Sequence, residues 1–260
     1  MKISELKLIY FSPTGTTRKV LMDVAKSIDL KSISYDLTIK KEMRQEAKFS
    51  SSDFALFAIP VYYGRVPDLF LEYLNHFTGN NTPAAIVATY GCRAYDDALL
   101  ELKTELENRG FKVIGAGAFP VEHSLAPTIG YRRPTKEDLK SASDFGIELN
   151  RKLKQAETFD DVDLTVPGNS PYNPYGKPAF FPKGDSTYCT ECMACVKACP
   201  AGAISVDNPR KTDHKKCIGC LKCVHICKPK ARLVSPHKVE KLIKKLDKVC
   251  DSNKQAEIFL

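Results

Sequence analysis

No apolar run in this chain approaches the length needed to span a bilayer. The N-terminal stretch MKISELKLIYF is interrupted by Glu5 and Lys7, so it lacks the unbroken apolar core of a cleavable secretory signal. These two absences lead to the expectation of a cytoplasmic protein without membrane insertion. There is no lysine-bearing triphosphate loop and no Gly-x-Gly-x-x-Gly fingerprint, which excludes the common triphosphate and dinucleotide cradles. The GAGAFP stretch from Gly115 lacks the third glycine and falls in a strand pattern. An aromatic-studded or helical basic reader is missing too, so no nucleic-acid partner is expected. No segment is of low complexity, and nothing repeats except two cysteine runs.

What is present is an ordinary soluble composition, 43% hydrophobic and 27% charged, over 260 residues, enough for one common domain and a small one. The net charge of +8 is uneven: residues 1–182 carry 23 basic and 23 acidic side chains, whereas residues 183–260 carry 16 and 8. An acidic redox partner is one use of that excess, and a solvated surface is the other.

Residues 189–227 hold eight of the ten cysteines, as CTECMACVKACP and CIGCLKCVHICKP. Both runs have the spacing C-x-x-C-x-x-C-x-x-x-C, which holds cubane iron–sulfur clusters. Three thiolates of a run fit three iron corners, and the fourth, unable to fold back, caps the other cluster. That logic assigns Cys189, Cys192, Cys195 and Cys227 to one 4Fe–4S cluster, and Cys217, Cys220, Cys223 and Cys199 to the second. A disulfide framework needs an oxidising compartment. Zinc sites use paired Cys-x-x-Cys units rather than triplets with a trailing fourth. His225, between two ligands, reads as a surface residue or a tuner of cluster potential.

The first half alternates strands and helices. KLIYF at 7–11 reads as a buried strand, followed by Ser12-Pro13-Thr14-Gly15-Thr16-Thr17 and a helical pattern to about Ile28. A hydroxyl-rich loop at a helix start suits a monophosphate, because backbone amides point at the anion; a plain capped helix is the alternative. Further strands are expected at 32–36, 54–59, 84–89 and 112–119, with helices at 68–77, 96–109 and 135–154, the last capped by Thr135. The expected fold is an α/β doubly wound five-stranded parallel sheet of order 2-1-3-4-5, followed by a small α+β two-cluster domain. Its ligand loops would be Pro60-Val61-Tyr62-Tyr63-Gly64 and Thr89-Tyr90-Gly91-Cys92-Arg93-Ala94-Tyr95-Asp96, at strand carboxyl ends, with aromatics to stack on a flat ring.

SPTGTT resembles the flavodoxin phosphate loop at Ser12, Thr14, Gly15 and Thr17, and PVYYGRVP and TYGCRAYDDALLEL are similar to the isoalloxazine loops of that family. The cysteine half resembles the bacterial two-cluster ferredoxins; Pro200 follows the first run as in that family, whereas Pro229 is displaced by one residue. Fusions of the two cover the whole chain in this order. The resemblance implies FMN, with the Gly64 region at the flavin N5 edge and Tyr62, Tyr63 and Tyr90 near the ring. Relatives often carry Asn where this chain has Cys92.

The expected division is 1–155 for the flavin domain, 156–182 for a Pro- and aromatic-rich strap, 183–235 for the cluster domain, and 236–260 for a basic amphipathic helix and tail. The strap should pack on one or both domains. Val239, Leu242, Ile243, Leu246 and Val249 share a helical face opposite Lys241, Lys244, Lys245 and Lys248, which reads as a helix docked on the neighbouring domain, with membrane binding as the alternative. His123 reads as a structural histidine, with a proton donor as the alternative, and Cys92 and Cys250 as inert thiols. The expected function is an electron relay between an external redox protein, two 4Fe–4S clusters and FMN, first-guess direction clusters to flavin. An FMN-dependent reductase of a small quinone, nitro or unsaturated carbonyl compound is the second reading. A flavin-free docking module carrying a ferredoxin is the third.

Overall fold

The structure, a computed structural model, describes residues 3–39, 46–251 and 253–260. In chain order its elements are β1 (Glu5–Tyr10), α1 (Thr16–Ala25), β2 (Ser32–Asp36), β3 (Ala47–Phe49), β4 (Asp53–Pro60), α2 (Asp68–Leu74), β5 (Phe77–Gly79), β6 (Thr82–Tyr90), α3 (Ala98–Glu107), β7 (Phe111–Pro120) and α4 (Lys136–Gln155). Then follow β8 (Lys183–Gly184), α5 (Ala194–Ala198), α6 (Lys222–His225), β9 (Arg232–Leu233), α7 (Pro236–Leu246) and β10 (Glu257–Phe259). A six-stranded sheet runs β10-β7-β6-β4-β1-β2, parallel throughout except that β10 is antiparallel to β7. Its five parallel strands have the flavodoxin-type order expected from the sequence.

The central strands β4 (DFALFAIP) and β6 (TPAAIVATY) are buried almost end to end because helices cover both faces of the sheet. Their side chains alternate between two cores. Phe57, Ile59, Ile86 and Ala88 pack with Phe70 of α2 and Leu102 of α3, while Leu56, Ala58, Ala85 and Val87 pack with Val24 of α1 and Leu149 of α4. Each buried Phe, Leu or Ile contributes ~1.5–3 kcal/mol by leaving water. Thr135 caps α4 as expected, in a reciprocal box: its hydroxyl accepts from the Asp138 amide at 3.3 Å, and its own amide donates to Asp138 Oδ2 at 2.7 Å. Helices α1 and α4 cross closely at Gly146, where a Cβ would collide with the Val24 carbonyl.

The strap is docked, not free. Phe159, Leu164 and Val166 are buried in the two cores. Asp97, fully buried, accepts from the Asn169 amide and side chain and from the Asn173 amide. Arg65 forks onto Glu101 (Nε to Oε2 2.9 Å, Nη2 to Oε1 2.6 Å), donates to the Asn173 carbonyl, and lies 4.8 Å from the Tyr172 ring centre.

The C-terminal helix is followed by a short strand that was not among the sequence expectations. Leu242, Ile243 and Leu246 of α7, with Cys250, do dock on Cys92, Ala126 and Ile129 of the α/β domain. Val249 does not join that face: the helix ends at Leu246, and Val249 is 57% exposed. Beyond it the chain returns to pair Glu257, Ile258 and Phe259 with Ala118, Gly117 and Ala116 of β7, covering what would be an open sheet edge. Among the described residues no helix is long and apolar enough to cross a membrane.

Candidate cofactor sites

The eight cysteines of the two runs line two cavities in crossed sets. Cys199, Cys217, Cys220 and Cys223 line one, with Ile204, Ile218 and Leu221. Cys189, Cys192, Cys195 and Cys227 line the other, with Pro209 and Arg232. All ten cysteines of the chain are free thiols. Among the described residues no three His, Cys, Asp or Glu side chains converge on a single metal ion.

Local backbone explains the geometry. Met193 (φ 60°) and Leu221 (φ 59°) are left-handed at equivalent places, each opening a short helix, α5 or α6, just after the second cysteine of its run. Amides so turned reach sulfur: that of Ala194 draws the exposed Cys192 thiol below its ordinary value, and that of Lys222 acts on Cys220. Burial nevertheless raises Cys220 to about 12 and Cys223 to about 11. Thiols that reluctant to ionise are stabilised as thiolates only by a cationic partner such as iron. The donor set, crossed pairing and cavities fit two 4Fe–4S clusters.

Between the cavities lies Arg232, 2% exposed. Its Nη1 donates to the Pro209 carbonyl at 2.5 Å, and its Nη2 to the Pro182 carbonyl at 2.9 Å and to Thr212 Oγ1. Burial pushes the Cys195, Cys217 and Cys223 thiols up, and the guanidinium pulls all three back down.

The loop 12–17 leaves β1 at the carboxyl edge of the sheet. Gly15 (φ 87°) sits at the N-terminus of α1 with nothing within 4 Å of where a Cβ would stand. The Ser12 hydroxyl accepts from the Arg18 amide at 3.0 Å, and its amide donates to Thr38 Oγ1 at 2.8 Å. Thr17 and Thr89 hydroxyls pair at 2.7 Å, tying this loop to the end of β6. Two of the four loop hydroxyls are therefore structural. Thr14 and Thr16 are half-buried. Left-handed glycine, open space and a helix start fit a monophosphate.

The loop after β4 makes a tight two-residue turn. Tyr62 and Arg65 exchange both backbone hydrogen bonds at 3.0 Å around Tyr63 (φ 56°) and Gly64 (φ 80°). Tyr62 and Tyr63 turn toward the strap and the cluster domain: Tyr63 packs edge-on against Tyr175, centroids 6.3 Å apart, and Gly176 abuts its Cβ. A Cβ at Gly219, between Cys217 and Cys220, would stand 3.4 Å from the Tyr63 hydroxyl and 3.3 Å from Pro178. Ile218 packs on the α/β core. Burial, then the charge of Cys220, lifts the Tyr62 phenol well above its usual value; burial and Cys217 lift Tyr63 to about 12.

The loop after β6 is also partly turned inward. Tyr90 is 2% exposed, its hydroxyl unpartnered, and it packs against Tyr95 with centroids 5.4 Å apart. The Tyr95 hydroxyl donates to Glu257 Oε2 at 2.8 Å, and Lys254 Nζ lies 5.8 Å from the Tyr90 ring centre. Cys92 (φ 59°) is fully buried, its thiol 3.5 Å from the Val121 carbonyl, not presented at the surface. Asp96 pairs with Arg93 and leaves no room for a side chain at Gly64. Gly91 is faced by the His123 side chain. His123 Nδ1 accepts from the amides of Leu125 (3.3 Å) and Ala126 (3.1 Å), which fixes the proton on Nε2 and makes it the anchor of a turn; burial lowers its pKa. His225 is lowered by burial and raised by Glu122 across the domain boundary. Arg232, Asp97 and Thr38 are the site residues that sequence reasoning missed; Asp97 lies within TYGCRAYDDALLEL but was not singled out there, and the other two lie in no motif.

Residues 181–228 match the 4Fe-4S dicluster domain. The α/β part is similar to solved structures at low identity. A flavodoxin from the domain Archaea is 14% identical, over 58% of this chain and 99% of that one, with a TM-score of 0.41. A flavodoxin of Streptococcus pneumonia TIGR4 is 19% identical over 57% and 99%, at 0.42, and an azoreductase from Bacillus anthracis str. Sterne 9% identical over 58% and 100%, at 0.41. No curated protein matches the chain. By its own sheet order and this dicluster match, the chain joins a flavodoxin-like fold to a 4Fe-4S dicluster domain.

Proposed function

We propose that the chain is an electron-transfer iron–sulfur flavoprotein, relaying electrons between an external redox protein, two 4Fe–4S clusters and an FMN. Cys189, Cys192, Cys195 and Cys227 would hold one cluster and Cys199, Cys217, Cys220 and Cys223 the other, while Thr14, Gly15, Thr16 and the start of α1 would hold the FMN phosphate. When bound, each cluster supplies a one-electron couple and FMN a couple of one or two electrons.

The observation that carries this reading is the approach of Tyr63 to Gly219, close enough that a Cβ there would stand 3.4 Å from the Tyr63 hydroxyl. The second loop at the sheet's carboxyl edge abuts the backbone between two ligands of the second cysteine set. Tyr62 and Ile218, both packed on the α/β core, flank that approach, and the strap is pinned beside it by Asp97 and Arg65. Such packing keeps the distance for electron transfer short within one chain. The parts are tested by iron, sulfide and released-flavin counts on anaerobically purified protein. About eight irons with one FMN per chain is the expected result. Eight irons without flavin overturns the relay and leaves a ferredoxin on a docking scaffold.

A further inference from the structure

We propose that Arg232 is a shared tuning charge for the two cysteine sets, a single guanidinium in the wall between their cavities that raises the reduction potentials of both clusters together. The inference rests on the reading that both sets carry clusters.

Arg232 is held by strand geometry: β9 pairs with β8, setting Arg232 opposite Gly184. From there its side chain spans the wall. The Pro209 carbonyl that takes Nη1 belongs to the lining of the Cys189, Cys192, Cys195 and Cys227 cavity, as does Arg232 itself. Pro182 and Thr212, which take Nη2, belong to the lining of the other cavity. One charged group thus touches the walls of both.

Its own bonding is incomplete. Nε is buried without a hydrogen-bond partner, and the bonds of both Nη atoms go to uncharged oxygens. Among the described residues no carboxylate pairs with it: the neighbouring acidic residue Glu191 pairs with Arg210. A buried cation lacking an anion is strongly disfavoured. The anions available to this one are the cysteine thiolates: it lines the cavity of Cys189, Cys192, Cys195 and Cys227, and two of its partners, Pro182 and Thr212, line the cavity of Cys199, Cys217, Cys220 and Cys223. Cluster loading therefore completes the partnership that the cysteine sequence alone leaves open. Reduction adds one electron's charge to a cluster, and a fixed cation nearby favours that reduced form. Because the cation is common to both, its removal moves both couples the same way.

The test compares Arg232→Gln and Arg232→Lys with the parent protein by anaerobic EPR-monitored redox titration, with iron and sulfide counted on each sample. Parent protein without iron contradicts the proposed function itself, and is distinct from the outcomes below. With the parent loaded, the Gln variant is expected to lower both midpoints by at least a tenfold change in the oxidised-to-reduced ratio, ~59 mV for a one-electron couple. The Lys variant is expected to stay within that margin. A fully loaded Gln variant with either midpoint unmoved overturns the inference, as does a Lys variant that falls as far as Gln. Should Gln fail to load, a Lys variant loaded at parental potentials supports the shared charge. Failure of both to load makes Arg232 scaffolding and overturns it.

Discussion

Asn169 gives both its backbone amide (2.8 Å) and its side-chain amide (2.7 Å) to one oxygen of the buried Asp97. The other oxygen takes the Asn173 amide at 2.7 Å, so one carboxylate at the start of α3 fastens the strap. Burial alone would raise the Asp97 pKa, but the donors from Asn173 and Asn169 outweigh it and hold it below the ordinary value. A depressed folded pKa stabilises at pH above ~3.9, the unfolded value, and that contribution is lost as pH falls through the folded value. Asp97→Asn is expected to cost ~1.5–3 kcal/mol, the worth of hydrogen bonds to a charged group. Hydrogen exchange over residues 165–176 checks it: faster exchange in the variant at neutral pH, and in the parent only in acid.

Gly219 has φ 72° and faces Tyr63 and Pro178. Gly219→Ala is expected to cost ~1–2 kcal/mol from the left-handed backbone and to wedge the seam. Iron content should hold while transfer from cluster to flavin slows, measured by flash reduction. Unchanged transfer at full iron would show that this contact is not on the route.

The phosphate cradle can be tested at Gly15, where the space beyond is open, with Gly15→Ala as the control for the strain of a side chain at φ 87°. Gly15→Glu puts a carboxylate where the phosphate dianion would lie. Expected is flavin binding at least ~tenfold weaker, ~1.4 kcal/mol, at unaltered iron content. Flavin fluorescence titration of the stripped protein decides it, with equal affinities as the contrary outcome.

At the α1–α4 crossing, Gly146→Ala forces a methyl into the Val24 carbonyl. Overpacking of this kind costs ~1–3 kcal/mol. Urea unfolding followed by far-ultraviolet circular dichroism should show the lowered midpoint, and a midpoint at or above the parent's would mean that the helices part freely.

The parallel sheet order was readable because KLIYF, FALFAI and AAIVAT are continuous apolar runs, the mark of strands buried on both faces. The cysteine sets were readable because three ligands on one short turn leave the fourth out of reach. Other features carry no such periodicity. Glu257–Phe259 is too short for alternation to show, and its pairing with β7 depends on where α7 ends. Tyr62 and Tyr63 look like ring-stacking residues, but the turn at Tyr63 and Gly64 aims them at the strap and cluster loop, a direction set by tertiary packing. Arg232 is one basic residue in a basic stretch, and only the fold reveals that it is buried between the two sets.

The most direct test of the relay is flash reduction of the clusters in the anaerobic holoprotein, with flavin absorbance followed over a tenfold range of protein concentration. A first-order flavin reduction whose rate does not change with concentration is expected, because the Tyr63–Gly219 seam joins the two halves within one chain. A rate that rises in proportion to concentration, or reduced clusters beside a flavin that stays oxidised, contradicts it.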